Sequence, residues 1–157
     1  MEKICQRKRP DLPSVLRKAE RLPNPILTPT TKAEVGHDID IKREEILKQI
    51  GKETTNEIEE ICLKIYERAS KKAEANGIII ADTKLEFGFS GDELILIDEL
   101  LTPDSSRFWP VEKYKVGGNQ FSFDKQYVRD YLESIKWNKQ PPAPTLPEYI
   151  VLETSKK

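Results

Sequence analysis

The sequence is poor in reactive side chains. It has a single histidine, His37, and two cysteines, Cys5 and Cys62. Two cysteines without metal-ligand spacing form neither a zinc cluster nor a disulfide framework. No cysteine or serine has the setting of an activated nucleophile. No apolar run reaches the roughly 18 residues a membrane helix needs. The basic start MEKICQRKRP leads into no apolar segment, so it does not read as a secretory signal. An excess of one charge is missing too. With 26 basic and 27 acidic side chains the net charge is −1, which gives no broad attraction to nucleic acid or an anionic membrane. A Gly-rich phosphate loop is also absent, since Gly117-Gly118 lacks the lysine and serine of a P-loop. A reduced cytoplasm is the simplest compartment for such a chain.

What is present suffices for a folded unit. A length of 157 residues suggests one domain, or one domain with an extended arm. The apolar residues cluster between 58 and 101, where they can form a core. Residues 1–40 are broken by prolines and read as an extended arm with a short helix over 14–22. Helices are expected over 42–50 and 54–76. In the second, Ile58, Ile61, Ile65, Ala69 and Ala73 form an apolar stripe, Thr54 or Thr55 is the cap, and Asn76-Gly77 ends it. GIIIADTKLEFGF and DELILIDELL, separated by SGD, read as an antiparallel hairpin. TPDSSRFWP reads as a turn-rich loop and 111–122 as irregular. Residues 123–137 read as a helix capped by Asp124, and 141–157 as a proline-rich tail leading into a helix cut short at the chain end. The expected architecture is α+β, with residues 41–140 as the main domain: an antiparallel sheet centred on 78–101, packed by helices 54–76 and 123–137. One hairpin is marginal alone, so further strands are expected from elsewhere.

Three charged groups carry possible chemistry. Asp82, Lys84 and Glu86 recur at a spacing of two, so a single strand would present them on one side. Glu86 and Asp98, across a turn at 90–92, come near each other at one end of the hairpin. Facing carboxylates repel, and a hard cation such as Mg2+ relieves this by taking carboxylates, phosphate oxygens and water. Lys84 beside them suits a nucleotide phosphate or a substrate carboxylate. From the pattern alone an exposed Asp-Lys-Glu ladder with cross-strand ion pairs is the favoured reading. In TPDSSRFW, Asp104, Ser106 and Arg107 suit a phosphomonoester; an ordinary Asp/Ser turn with Arg107 on Trp109 is the alternative. In TPTTKAEVGHDID, Lys32, Glu34, His37, Asp38 and Asp40 converge, and His37 beside Asp38 offers either an oriented base or a helix cap.

IADTKLEFG, followed by LIDELLTPDSSRFW and FDKQYVRDYL, closely resembles the SAICAR synthetase family. LPNPILTPTTKAEVGHD looks like that family's preceding loop, and PPAPTLPEYIVLETSKK is similar to the stretch before its last helix. The resemblance runs in order from about residue 12 to the end. It implies the larger lobe of an ATP-grasp-like fold and an ATP-dependent ligase of purine biosynthesis. That family joins L-aspartate to carboxyaminoimidazole ribonucleotide, giving the succinocarboxamide, ADP and phosphate through an acyl phosphate. Carried over by resemblance, Glu86 and Asp98 match Mg2+ ligands, and Lys84 lies near the nucleotide phosphates and the substrate. Asp104, Ser106 and Arg107 match the ribonucleotide loop, with Arg107 at the phosphate. Lys32, His37 and Asp38 match the loop flanking the imidazole, Asp38 at its ring amine. Asp82 and Lys125 are second-rank members.

The family's enzymes are longer. The resemblance implies that the N-terminal sheet domain, with its Gly-rich cover over ATP, has no counterpart in MEKICQRKRP. A truncated product, a chain working with a separate N-terminal half, and a degenerate relative acting as a nucleotide-binding or interaction module all fit. An exposed apolar patch and self-association are expected in each case.

Overall fold

The computed structural model describes residues 16–30 and 39–156. Helix α1 spans Arg43–Ile50 and α2 spans Lys52–Glu74. Strands β1 (Ile78–Thr83), β2 (Glu86–Ser90), β3 (Glu93–Asp98) and β4 (Ser106–Pro110) follow, then α3 (Gln126–Ser134) and α4 (Glu148–Ser155). No helix among the described residues is long and apolar enough to cross a membrane.

The two N-terminal helices meet at Gly51, whose φ of 79° and ψ of 168° lie in a region that a Cβ makes costly. That one residue turns the corner. The guanidinium of Arg43 donates to Glu59 at 2.6 and 2.9 Å and to Asn56 at 2.7 Å, holding α1 against α2. Thr55, expected as a cap, instead lies inside the first turn, buried, with its hydroxyl donating to the Gly51 carbonyl at 2.6 Å. The stripe Ile58, Ile61, Ile65, Ala69 and Ala73 is half-buried throughout. Its cover is β1, on which α2 packs, and Tyr66 donates to the Ile80 carbonyl at 2.7 Å. Gly77, with φ of 77°, ends the helix as expected.

The expected single hairpin is two separate two-stranded sheets. β1 pairs with β4, from Ile78 opposite Pro110 to Thr83 opposite Ser106, with a register shift at Ala81. β2 pairs with β3 across a tight turn at Gly91, as the SGD turn predicts. TPDSSRFWP is therefore a loop only in its first half. Thr102–Ser105 forms a hydrogen-bonded turn, and SRFWP is a strand whose aromatic residues suit a half-buried pleated surface. The short helix expected over 14–22 is not formed in its described part. Lys18 and Ala19 form a turn, with Ala19 at φ of 60°. This segment docks instead on 114–117, where the Gly117 amide donates to the Lys18 carbonyl and the Tyr114 hydroxyl to the Ala19 carbonyl, each at 2.7 Å.

Helix α3 is shorter than expected. Asp124 does serve its start, accepting from the Gln126 amide at 2.9 Å, but its other oxygen accepts from the Phe108 amide at 2.9 Å and from the Ser122 hydroxyl. One buried carboxylate thus ties β4 to α3. Among the described aliphatic and aromatic residues only Ile80 and Ile150 are buried.

Two substitutions test these joints by urea denaturation. Gly51→Ala should lower stability by about 1–3 kcal/mol through backbone strain. Asp124→Ala, which strands a buried amide and a buried hydroxyl, should cost about 3 kcal/mol.

Candidate functional site

The site is built where the chain passes from one sheet to the other. Lys84 and Leu85 separate β1 from β2, so Asp82, Lys84 and Glu86 do not share one strand face. The break has a partner of its own: the Lys84 amide donates to the Ser105 carbonyl at 2.9 Å. Beyond it, Glu86 lies directly opposite Asp98 in the β2–β3 register. Lys84 Nζ donates to Glu86 Oε1 at 2.8 Å, and the Glu86 side chain is only 13% exposed. The paired carboxylates expected from sequence are thus brought together, with an ammonium already on one of them.

Asp82 has a different partner. Its two carboxylate oxygens accept from Arg107 Nε at 2.7 Å and Nη2 at 2.6 Å, across the β1–β4 ladder. Asp82 holds the Arg107 guanidinium above its already high pKa. Arg107 therefore forms a cross-strand fork with a carboxylate. Its neighbour Ser106 is buried, and its hydroxyl shares a 2.7 Å hydrogen bond with that of Thr83. Successive strand residues face opposite sides, so Ser106 faces inward while Arg107 stays half-exposed.

Asp104 sits in the turn before β4 and accepts from Lys125 Nζ at 2.8 Å. That hydrogen bond, then the lysine charge and Arg129, hold its carboxyl below the usual range. Asp98 and Asp104 line one open cleft of about 370 Å3 with Ile97, Leu100 and Thr102. The cleft runs from Asp98 at the end of β3 to the turn before β4. Thr83 and Thr102 join these residues although no charge marks them in the sequence. Their hydroxyls, with those of Ser105 and Ser106, form the network that shapes this turn, and the TPDSS turn chemistry was the available clue.

Lys32, Glu34, His37 and Asp38 lie outside the described residues. The base of their loop is described: Thr30 bridges Asp40, and the Ile41 amide donates to the Pro29 carbonyl at 3.1 Å. Cys62 is half-buried, and burial pushes its thiol up to about 11, which removes it as a nucleophile at neutral pH.

Among the described residues no group of three His, Cys, Asp or Glu side chains is gathered closely enough to hold a metal. The Glu86–Asp98 pair fits Mg2+ nonetheless, because that ion is commonly held by one or two carboxylates and completes its shell with water and substrate phosphate. The α+β lobe thus brings paired acids to one sheet end, with Lys84 on Glu86 and an open cleft beside Asp98 and Asp104.

The chain belongs to the SAICAR synthetase family, whose match covers residues 3–144. A phosphoribosylaminoimidazole-succinocarboxamide synthase from Thermodesulfovibrio yellowstonii is 58% identical over 146 residues, 93% of this chain and 50% of its own length. Another, from Desulfosudis oleivorans, is 60% identical over 147 residues with the same coverage. Among solved structures, the Saccharomyces cerevisiae SAICAR synthase complexed with SAICAR superposes with a TM-score of 0.78 at 40% identity, covering 92% of this chain and 47% of that one. A type-2 SAICAR synthetase in complex with ADP gives 0.59 at 29% identity, covering 80% of this chain and 55% of that one. This chain spans about half the length of the curated relatives it matches.

The Asp104–Lys125 contact has a direct test. A carboxyl with a depressed folded-state pKa adds stability above its unfolded pKa of about 3.9, and that stability is lost as pH falls through the folded value. NMR titration should find Asp104 titrating below free aspartate, and Lys125→Ala should return it to the ordinary range.

Proposed function

We propose that this chain carries the metal-binding and ribonucleotide-binding half of an ATP-dependent carbon–nitrogen ligase of purine biosynthesis. The reaction joins L-aspartate to the carboxylate of carboxyaminoimidazole ribonucleotide. The observation that carries the reading is Glu86 directly opposite Asp98, with Lys84 on Glu86, within a family member.

In this reading the substrate carboxylate attacks the terminal phosphorus of ATP. ADP leaves, and an acyl phosphate forms on the substrate. The aspartate amine then attacks the acyl carbon, phosphate departs and the amine loses a proton, leaving an amide. Glu86 and Asp98 would hold Mg2+, which would supply positive charge against the nucleotide phosphate oxygens. Lys84 lies one side chain away from that pair, within reach of a transferring phosphoryl group or the substrate carboxylate. Arg107 takes the ribonucleotide phosphate, with Asp104, Ser106 and Lys125 shaping the loop around it. Lys32, His37 and Asp38 meet the imidazole and its carboxylate, with Asp38 at the ring amine.

The ion pairs suit this role. Lys84, Arg107 and Lys125 each rest on an acid of the same chain. The Arg107–Asp82 and Lys125–Asp104 pairs are half-exposed, and pairs of this kind are worth little, typically under about 1 kcal/mol. A phosphate can therefore join or replace the acid at small cost. Asp82 keeps Arg107 extended across the ladder and leaves its outer edge for such an anion.

The reading sets the chemistry in the cytoplasm, where ATP and aspartate are at hand. It leaves the chain alone inactive or nearly so, because ligation needs both phosphate-bearing substrates positioned around one metal.

Isothermal titration of the pure chain with the ribonucleotide and with Mg-ATP tests it. Ribonucleotide binding should weaken roughly 10–100-fold in Arg107→Ala, the loss expected for a charge-assisted fork. Glu86→Ala should remove the Mg2+ dependence of nucleotide binding. A folded chain that binds neither ligand would instead be an interaction module descended from the enzyme.

A further inference from the structure

The beginning of β4 is gripped by the end of β1 through two successive cross-strand pairs. Asp82 stands opposite Arg107, and Thr83 stands opposite Ser106 in the last pair of the ladder. Neighbouring strand residues face opposite sides, so one face carries the Asp82–Arg107 fork and the other a pair of hydroxyls. Thr83 Oγ1 and Ser106 Oγ lie 2.7 Å apart, and Ser106 is buried. The Ser105 hydroxyl is also near Ser106, but at 3.3 Å. That exceeds the roughly 2.5–3.0 Å usual between two hydroxyls. Among the described residues, Thr83 is therefore the close partner of a buried hydroxyl.

Ser106 in turn holds the segment before it. The 102–105 turn keeps its own shape through hydrogen bonds between Thr102 and Ser105, from amides and hydroxyls alike. Those bonds do not fix where the turn sits. Its carbonyls receive the rest of the site: the Lys84 amide donates to the Ser105 carbonyl at 2.9 Å and the Lys125 amide to the Pro103 carbonyl at 3.3 Å. Asp104 within the turn accepts from Lys125 Nζ, and Arg107 follows on β4. A displaced turn therefore moves Lys84, Arg107 and Lys125 relative to one another. Ladder ends are where strands fray, and the Thr83–Ser106 hydroxyl pair closes this one.

We infer that Thr83 is a positioning residue for the ribonucleotide site. Its hydroxyl pins Ser106, and with it the 102–105 turn, to the end of β1, which sets the spacing among Lys84, Arg107 and Lys125. Thr83 acts through Ser106 and the turn, and its role rests on the proposed ribonucleotide contact of this loop. Binding groups held loosely by about 1 Å lose much of their effect.

The test compares Thr83→Val, Thr83→Ser and Tyr66→Phe in the full chain. Valine keeps the β-branched shape and removes the hydroxyl, while serine restores it. Tyr66→Phe controls for lost stability, because it removes a hydrogen bond to the Ile80 carbonyl in the same strand, away from the turn. The reference amide is that of Val111, which donates to the Gly77 carbonyl at the far end of the ladder. By NMR, Thr83→Val should speed exchange of the Lys84 amide roughly fivefold relative to Val111, as local fraying does. By isothermal titration its ribonucleotide affinity should fall about fivefold, the equivalent of one hydrogen bond. Thr83→Ser should restore both values, and Tyr66→Phe should lower the urea midpoint while changing neither. Unchanged Lys84 exchange in Thr83→Val overturns the inference. So does faster exchange with unchanged affinity, a serine that fails to rescue, or a Tyr66→Phe variant that weakens binding equally. A wild-type chain that binds no ribonucleotide overturns the proposed ribonucleotide role, and the exchange comparison then decides separately whether Thr83 places the Lys84 backbone.

Discussion

Lys84 stands where the chain leaves one sheet for another, and the candidate site depends on how it makes that step. Its amide reaches the Ser105 carbonyl, which ends the β1–β4 ladder, and its ammonium reaches Glu86, which begins the β2–β3 ladder. Without the break, Glu86 would continue along β1 and Asp98 would have no partner across the hairpin. With it, two carboxylates meet at the end of one sheet while the serine-rich turn is held against the end of the other. The backbone hydrogen bond fixes where the Lys84 side chain starts, and the contact with Glu86 fixes where its ammonium ends.

The same junction accounts for the division between a firm half and an open half. β1 has α2 on one face and β4 along its edge, and it contains Ile80, one of two buried aliphatic residues among those described. The β2–β3 hairpin has neither kind of support. Apolar burial is the main favourable term in folding, so the first sheet carries the scaffold and the second projects from it. The carboxylate pair lies on the less supported element, at the end nearest the scaffold. Its geometry is thus held from one side, by Lys84 and the Ser105 turn.

Electrostatics follow the same plan. Each basic side chain singled out within the described site rests on an acid: Lys84 on Glu86, Arg107 on Asp82, Lys125 on Asp104. The near-zero net charge of the whole chain is repeated locally, pair by pair. Such a site attracts no polyanion from a distance. Under the proposed function it accepts a phosphate by rearranging short contacts, and selectivity comes from the fork of Arg107 and the register of Glu86 with Asp98.

The α2 stripe, the SGD turn, the capping role of Asp124 and the closeness of Glu86 to Asp98 were legible in the sequence, because each follows from periodicity, turn chemistry or strand register over a short span. The helix expected near residue 18 and the single strand over 78–90 were not. Local patterns favoured both, and contacts between distant segments overruled them: Lys18 and Ala19 dock on 114–117, and Ser105 captures Lys84. β4 was hidden for the same reason, since SRFWP becomes a strand only when β1 lies beside it. By itself the sequence determined which residue types gather and the helical and turn elements that bear them. Only the tertiary structure decided which acid faces which base, because strand pairing joins residues that no local spacing connects.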